Sequence, residues 1–324
     1  MRVNAALMVV LMAALMLAHP GCESRTGTSG EQENFRFTMV LYGPAGNPFW
    51  TKVVKGIEEM GEKLACSVDI QYANNDAAKQ NDILETAIAN KVDGIGMCIN
   101  LDDAYDEVIT RARKEGIPVV AFNIDDTKRG EGNARMAYIG QDMETAGYII
   151  ATRLVKEAGL KAGDFVACPV EYPEAIYAVQ RYTGVKRALD EAGIKSEMLN
   201  SGGTSLEDSL NRVTQYLLGH PETDAVCAMG GMPMEVAPQA IVDAGLKDIP
   251  VAGFDLTRRI AQNILEGKSL ATIDQQPFYQ GAMTLMQLYY CRKYGLHPCD
   301  VNTGGTMVDK TNAARILDLA DSVR

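Results

Sequence analysis

Short apolar runs alternate along the chain with longer stretches whose apolar positions recur at helical spacing. Residues 37–42 (FTMVLY) read as a strand. Residues 51–64 then place Val53, Val54, Ile57, Met60 and Leu64 on one side, which predicts an amphipathic helix. The alternation continues with a strand at 68–73, a helix at 80–89, a strand at 94–99, a helix at 104–114 and a strand at 118–122. It restarts with helices predicted at 145–157, 178–192, 205–218, 234–244 and 257–266. Strands at 165–169, 196–199, 225–229, 251–254 and 271–273 fall between them, and a long final helix spans 280–294. This βαβ order predicts parallel sheets covered by helices on both faces. Two successive runs predict two doubly wound α/β lobes, with ligands bound outside the carboxyl ends of the strands.

The first residues break this pattern. Arg2 precedes an apolar stretch of 14 residues, 5–18, which is short for a membrane span and fits a signal peptide over residues 1–21. His19-Pro20-Gly21-Cys22 then resembles a bacterial lipoprotein cleavage box, apart from His19 where leucine is usual. Lipidation at Cys22 is the expectation, with ordinary signal-peptide cleavage nearby as the bland alternative. Residues 22–34, rich in Ser, Gly, Thr and charge, read as a flexible tether.

Composition narrows the function. The chain has 324 residues, 47% of them hydrophobic, which excludes wholesale disorder and allows about two domains. A formal net charge of −11 makes nucleic acid and anionic membrane surfaces poor partners, because neutralising phosphates needs clustered Lys and Arg. Three histidines are few for a multi-His metal site, and no HExxH, CxxC or G-x-S-x-G is present. Gly267-Lys268-Ser269 imitates the end of a phosphate loop, but Gln262 stands where that loop needs glycine. Cys98, Cys168 and Cys227 lie in apolar strands and read as core residues. Cys291 and Cys299 flank the turn after the last helix, and an oxidising compartment leaves a local disulfide open as an alternative to free thiols.

The strand-end segments carry the chemistry. They are Gly46-Asn47-Pro48-Phe49-Trp50, Ile99-Asn100, Ala121-Phe122-Asn123, Ile139-Gly140-Gln141, Gln180-Arg181, Gly253-Phe254-Asp255 and Ile273-Asp274-Gln275-Gln276. NPFW, then a GxPV segment at 116–119, a GFD turn and a TIDQ strand, in this order and spacing, resemble the periplasmic sugar-binding proteins of ATP-driven (ABC) importers, of the ribose-binding type. The similarity runs from about residue 37 to 308. It implies the type I periplasmic binding protein fold: two Rossmann-like lobes joined by three hinge crossings, closing over ligand. The N-terminal lobe would comprise 35–141 and 276–303, and the C-terminal lobe 142–275 and 304–324. The crossings would fall near Gln141, Gln275 and Gly304.

The resemblance also implies site residues, each with a plainer alternative. Asn47 before Pro48 is a helix N-cap by pattern, and its amide would also meet ligand hydroxyls. Phe49 and Trp50 would cover the apolar C–H face of a sugar ring, against the alternative of core filling. Asn100 and Asn123 are turn-like asparagines that would contact ligand. Arg181, otherwise a helix surface charge, would donate to adjacent hydroxyls through its planar guanidinium. Asp255, otherwise a turn or N-cap residue, would accept from hydroxyls. Gln275 would contact ligand from a hinge strand, and Gln141 would sit behind it in the hinge.

Two departures from the family pattern bear on ligand choice. Gly230-Gly231 stands where a polar pair is common, and Asn123 where aspartate is usual, with Asp125 or Asp126 as substitutes. Tyr42, Tyr172 and Tyr177 are candidate replacements for the missing polar groups. A bulkier, modified or less hydroxylated ligand than ribose would suit this pattern.

The expected protein is an exported, monomeric, lipid-anchored binding protein for a sugar or polyol, held at the periplasmic or outer face of the cell membrane. It is expected to use no cofactor and no metal, to bind rather than catalyse, and to deliver its ligand to a permease in the inner membrane. A sensory role for a chemoreceptor or histidine kinase is the first rival. An exported α/β enzyme is the second, disfavoured by the lack of an acid–base or nucleophile constellation.

Overall fold

The computed structural model describes residues 34–320 and 322–324. The expected signal peptide, the expected lipidation site Cys22 and nearly all of the expected tether fall outside the described residues. The first sheet is built from β1 (Arg36–Leu41), β2 (Ser67–Tyr72), β3 (Gly94–Met97), β4 (Val119–Asn123), β5 (Ala137–Gly140) and β11 (Val301–Asn302). Its order is β11-β5-β4-β3-β1-β2, with every pairing parallel. The second holds β6 (Phe165–Val170), β7 (Lys195–Asn200), β8 (Ala225–Ala228), β9 (Val251–Phe254), β10 (Ala271–Asp274) and β12 (Thr306–Asp309), in the order β12-β10-β9-β8-β6-β7. In each lobe the second strand lies outside the first and the third lies on its other side. The order therefore reverses between β1 and β3, and again between β6 and β8.

Alternating side chains of each strand enter opposite cores. In β4, Val120 and Phe122 join a cluster with Val53 and Ile57 of α1 (Pro48–Leu64) and Leu285 and Leu288 of α9 (Pro277–Tyr294). Val119 and Ala121 face Leu84 and Ile88 of α2 (Ala77–Ala89) and Val108 of α3 (Asp106–Lys114). The second sheet repeats the arrangement. Val166 and Cys168 pack with Ile150 and Leu154 of α4 (Met143–Ala158) and Val185 and Leu189 of α5 (Ile176–Glu191). Val226 and Ala228 pack with α6 (Leu206–Gly219), α7 (Gly231–Asp243), α8 (Arg258–Leu265) and the short α10 (Ala313–Ile316). Cys98, Cys168 and Cys227 are buried core thiols, and Cys291 and Cys299 are both free.

Three chain passages connect the sheets. β5 ends at Gly140, and α4 packs on the second sheet. β10 ends at Asp274, and α9 packs on the first. β11 belongs to the first sheet and β12 to the second, with 303–305 between them. All three passages leave from carboxyl strand ends. A strand that enters the second sheet from that side must run away from it, so β12 pairs antiparallel with β10. This corrects the all-parallel expectation. β5, β11 and β12 are not among the predicted strands.

Helix starts also differ from the periodicity. α1 begins at Pro48 rather than Thr51, because Asn47 Oδ1 accepts the Phe49 N–H at 2.9 Å and proline occupies the first turn. α9 begins at Pro277, again with proline in the first turn, but its N-cap Gln276 makes no side-chain cap bond.

Reciprocal glycine contacts bring the hinge-side helices together. A Cβ on Gly147 of α4 would overlap the Arg181 carbonyl of α5, and one on Gly184 of α5 would overlap the Glu144 carbonyl of α4. Gly56 and Gly281 do the same between α1 and α9, meeting the Phe278 and Val53 carbonyls. Gly184→Ala should therefore lower stability by about 1–3 kcal/mol, the usual cost of overpacking. Urea unfolding checks this, and an unchanged midpoint would show that the helices separate freely.

Candidate ligand-binding cleft

The carboxyl ends of both sheets face one cavity of about 300 Å3 between the lobes, at the small end of the range for ligand pockets. The first lobe contributes Tyr42 after β1, Asn47 to Trp50 and Lys52 at the start of α1, and Asn123 and Ile124 after β4. The second contributes Glu171 and Tyr172 after β6, Tyr177 and Arg181 on α5, Gly231, Met232 and Glu235 on α7, and Asp255 to Thr257 after β9. Asp274, Gln275 and Pro277 enter from the second crossing.

A continuous polar chain links the two lobes. Arg181 is 2% exposed, with its guanidinium 4.3 Å above the Phe254 ring. Its Nη1 donates to the Met229 carbonyl at 2.7 Å and its Nε to Gln141 Oε1 at 3.1 Å, and Nη2 lies 3.5 Å from Asp255 Oδ1. Asp255 Oδ1 also accepts from Gln275 Nε2 at 2.6 Å. Gln275 Oε1 accepts from Asn123 Nδ2 at 3.3 Å, and Asn123 Nδ2 donates again to Gln280 Oε1 at 3.0 Å. Asn123 and Asp255 follow the same pattern at the ends of β4 and β9. Each has positive φ, 66° and 68°, in the left-handed region that Asn and Asp tolerate better than most residues. That turn aims each short side chain back over its strand end. Asp255 is thus a turn residue, while the N-cap of α8 is Thr257.

Aromatic rings of the first lobe border the same cavity. Trp50 packs edge to face with Tyr42 at 5.0 Å and with Phe49 at 5.1 Å between centroids. At 4% exposure Trp50 belongs to the core as well as to the cavity border, whereas Phe49 is half-buried. Burial pushes the phenols of Tyr42 and Tyr177 up, so both stay neutral.

Lys52 spans the cleft. It is a buried residue of α1, and its Nζ donates to the Leu256 carbonyl of the other lobe at 2.9 Å. Asp274 pairs with Arg324 at 2.8 Å; burial pushes its carboxyl up and Arg324 opposes the shift.

Several expected residues lie elsewhere. Asn100 does not line the cavity; its Oδ1 accepts the Tyr105 hydroxyl at 3.0 Å, which folds it back onto its own lobe. Asp125 is buried against Arg135, whose Nε donates to Oδ1 at 2.7 Å, so it does not replace an aspartate at position 123. Burial pushes the Asp125 carboxyl up to about 6, against the pull of Arg135. Gln141 sits behind the wall, holding Arg181, and a Cβ on Gly304 would overlap it. Gly230 is also behind the wall; Gly231 faces the cavity. Tyr172 stays at the rim, 47% exposed, with its hydroxyl on the Gly203 carbonyl. Glu171, Lys52, Glu235 and Met232 were not foreseen. Glu171 alone carries a usable signal, since it lies two residues beyond the end of the strand predicted at 165–169.

A family model described as periplasmic binding protein domain matches residues 38–293. The ribose import binding protein of Bacillus subtilis (strain 168) is 27% identical over 274 residues, covering 84% of this chain and 86% of its own. A carbohydrate transporter from Acidothermus cellulolyticus 11B, solved in complex with myo-inositol, superposes with a TM-score of 0.80 at 27% identity, over 89% of this chain and 98% of that one. An ABC transporter periplasmic solute binding protein from Actinobacillus succinogenes 130z with bound D-allose gives 0.77 at 25% identity, over 87% and 100%.

The Lys52 bond generates a test. A hydrogen bond from a charged donor contributes about 1.5–3 kcal/mol, so Lys52→Met should cut the ligand-free population with the lobes in contact by about tenfold or more. Small-angle scattering should then show a larger radius of gyration; an unchanged profile would mean that this bond does not hold the lobes together.

Proposed function

The chain belongs to the periplasmic binding protein family, among the type I sugar-binding proteins of ABC importers, and from that premise we propose that its cleft captures one sugar or cyclic polyol between closing lobes and delivers it to an ABC permease. It binds and does not catalyse. The observation that carries the ligand reading is the chain Arg181–Asp255–Gln275–Asn123 on a cavity that aromatic rings also border. Hydroxyls both donate and accept, so alternating donors and acceptors suit a ring of them. Phe49, Tyr42 and the edge of Trp50 cover its C–H faces. Asn47 spends its amide oxygen on the helix cap, which leaves its NH2 to donate to the ligand.

The mechanism is closure. A ligand that touches both lobes stabilises the closed arrangement by its differential affinity for that state. The hinge runs through Gln141, Gln275 and Gly304, and both glutamines also belong to the polar chain. The domain split at residues 141, 275 and 303, export of the chain, its tethering through Cys22 and its monomeric state belong to the same reading.

A panel of pentoses, hexoses and inositols should contain a compound that raises the melting temperature of the purified protein and shifts Trp50 fluorescence. Arg181→Ala and Asp255→Ala should each weaken its binding by more than about 1 kcal/mol in calorimetry, as expected for lost charged hydrogen bonds. Full affinity in both variants would refute the site.

A further inference from the structure

Glu171 directly follows β6, at the point where the strand order of the second sheet reverses. Its side chain crosses to the start of α7. Oε1 accepts the Met232 N–H at 3.0 Å, and Oε2 accepts the Tyr177 hydroxyl at 3.2 Å. The helix has no side-chain cap of its own, because its N-cap is Gly230. A Cβ on Gly230 would overlap the Glu171 carboxylate. The bare backbone at 230 is therefore what lets a carboxylate stand there, on the cavity wall beside Arg181 and Asp255.

A carboxylate has about four lone-pair sites; the two donors just named and the backbone N–H of Glu171 itself use three. Burial pushes this carboxyl up, and the nearby Asp255 charge adds to the shift. The backbone N–H of Glu171, the Met232 N–H and Arg181 pull the other way. The acceptor site left over needs a further donor, and the cavity is where it can come from.

We propose that Glu171 reads the ligand: its remaining lone pair accepts from a ligand hydroxyl at the α7 end of the cleft, supplying in space the polar group that Gly230-Gly231 lack in sequence. This rests on the sugar or polyol reading of the cleft. Glu171 and Asp255 then flank the Arg181 guanidinium as two acceptors beside one donor. A ligand lacking the hydroxyl that meets Glu171 is rejected, because it would leave a buried charged acceptor unpaired.

The test is calorimetry on the whole protein with D-ribose, D-allose, myo-inositol and the monodeoxy analogues of whichever binds. Glu171→Gln keeps an acceptor for the Met232 N–H while removing the charge, and should weaken the parent compound tenfold or more. In Glu171→Ala one deoxy analogue should bind within twofold of its parent, although the wild type separates the two by more than tenfold. Discrimination at the other hydroxyls should persist. Parent affinity within twofold of wild type in both variants, or unchanged discrimination at every hydroxyl, overturns the role of Glu171 and leaves the polyol reading standing. Failure of the wild type to bind any of the three compounds overturns both.

Discussion

A guanidinium held almost wholly out of water sets the terms for this cleft. A guanidinium is a planar group of five donors, so burying Arg181 requires partners for its donors and cover for its plane. The Met229 carbonyl, Gln141 and Asp255 take three donors, and Phe254 covers the plane. Each of these partners is fixed in turn. Asp255 needs a left-handed backbone at the end of β9, Gln141 needs the bare Gly304, and α5 needs the close approach that Gly147 and Gly184 permit. The polar chain then runs on through Gln275 to Asn123, where it becomes the contact between lobes.

The two lobes share a plan but divide the labour. Both have a 2-1-3-4-5 strand order, a glycine-mediated helix pair beside the hinge, and a left-handed Asn or Asp at the end of the fourth strand. The rings of Tyr42, Phe49 and Trp50 and the amides of Asn47 and Asn123 come from the first lobe. Arg181, Asp255, Glu171 and the ring of Tyr177 come from the second. A ligand that uses both sets is served by different bodies, and only their approach presents both at once.

Most of the fold was legible because its signals are local. The alternation of apolar runs and helical periods marks the βαβ units, and Asn47-Pro48 marks a cap. Arg181, Asp255, Gln275 and Asn123 were legible as strand-end or helix positions through a family resemblance. The misses share a cause: side-chain direction depends on partners distant in sequence. Asn100 looked like Asn123, yet Tyr105 turns it back into its own lobe. Asp125 looked available until Arg135 took it. Gly230-Gly231 looked like a gap in the site, when the gap is filled by a carboxylate from sixty residues upstream. β11 has two residues, too few for any periodicity to reveal, and the direction of β12 follows only from where the chain enters its sheet.

The interleaving of the lobes has a consequence for the order of events during synthesis. The core between the first sheet and α1 needs Leu285, Leu288 and Tyr289 of α9, and the second sheet has its outer strand at 306–309. Neither lobe can complete its core until these segments have been made. A nascent chain of this design remains without its final packing until they emerge, because loop closure over such separations precedes the contacts that reward it. The same topology that seats a hinge between two bodies therefore acts as a timer, keeping both lobes pliable until residues 285–309 are in place.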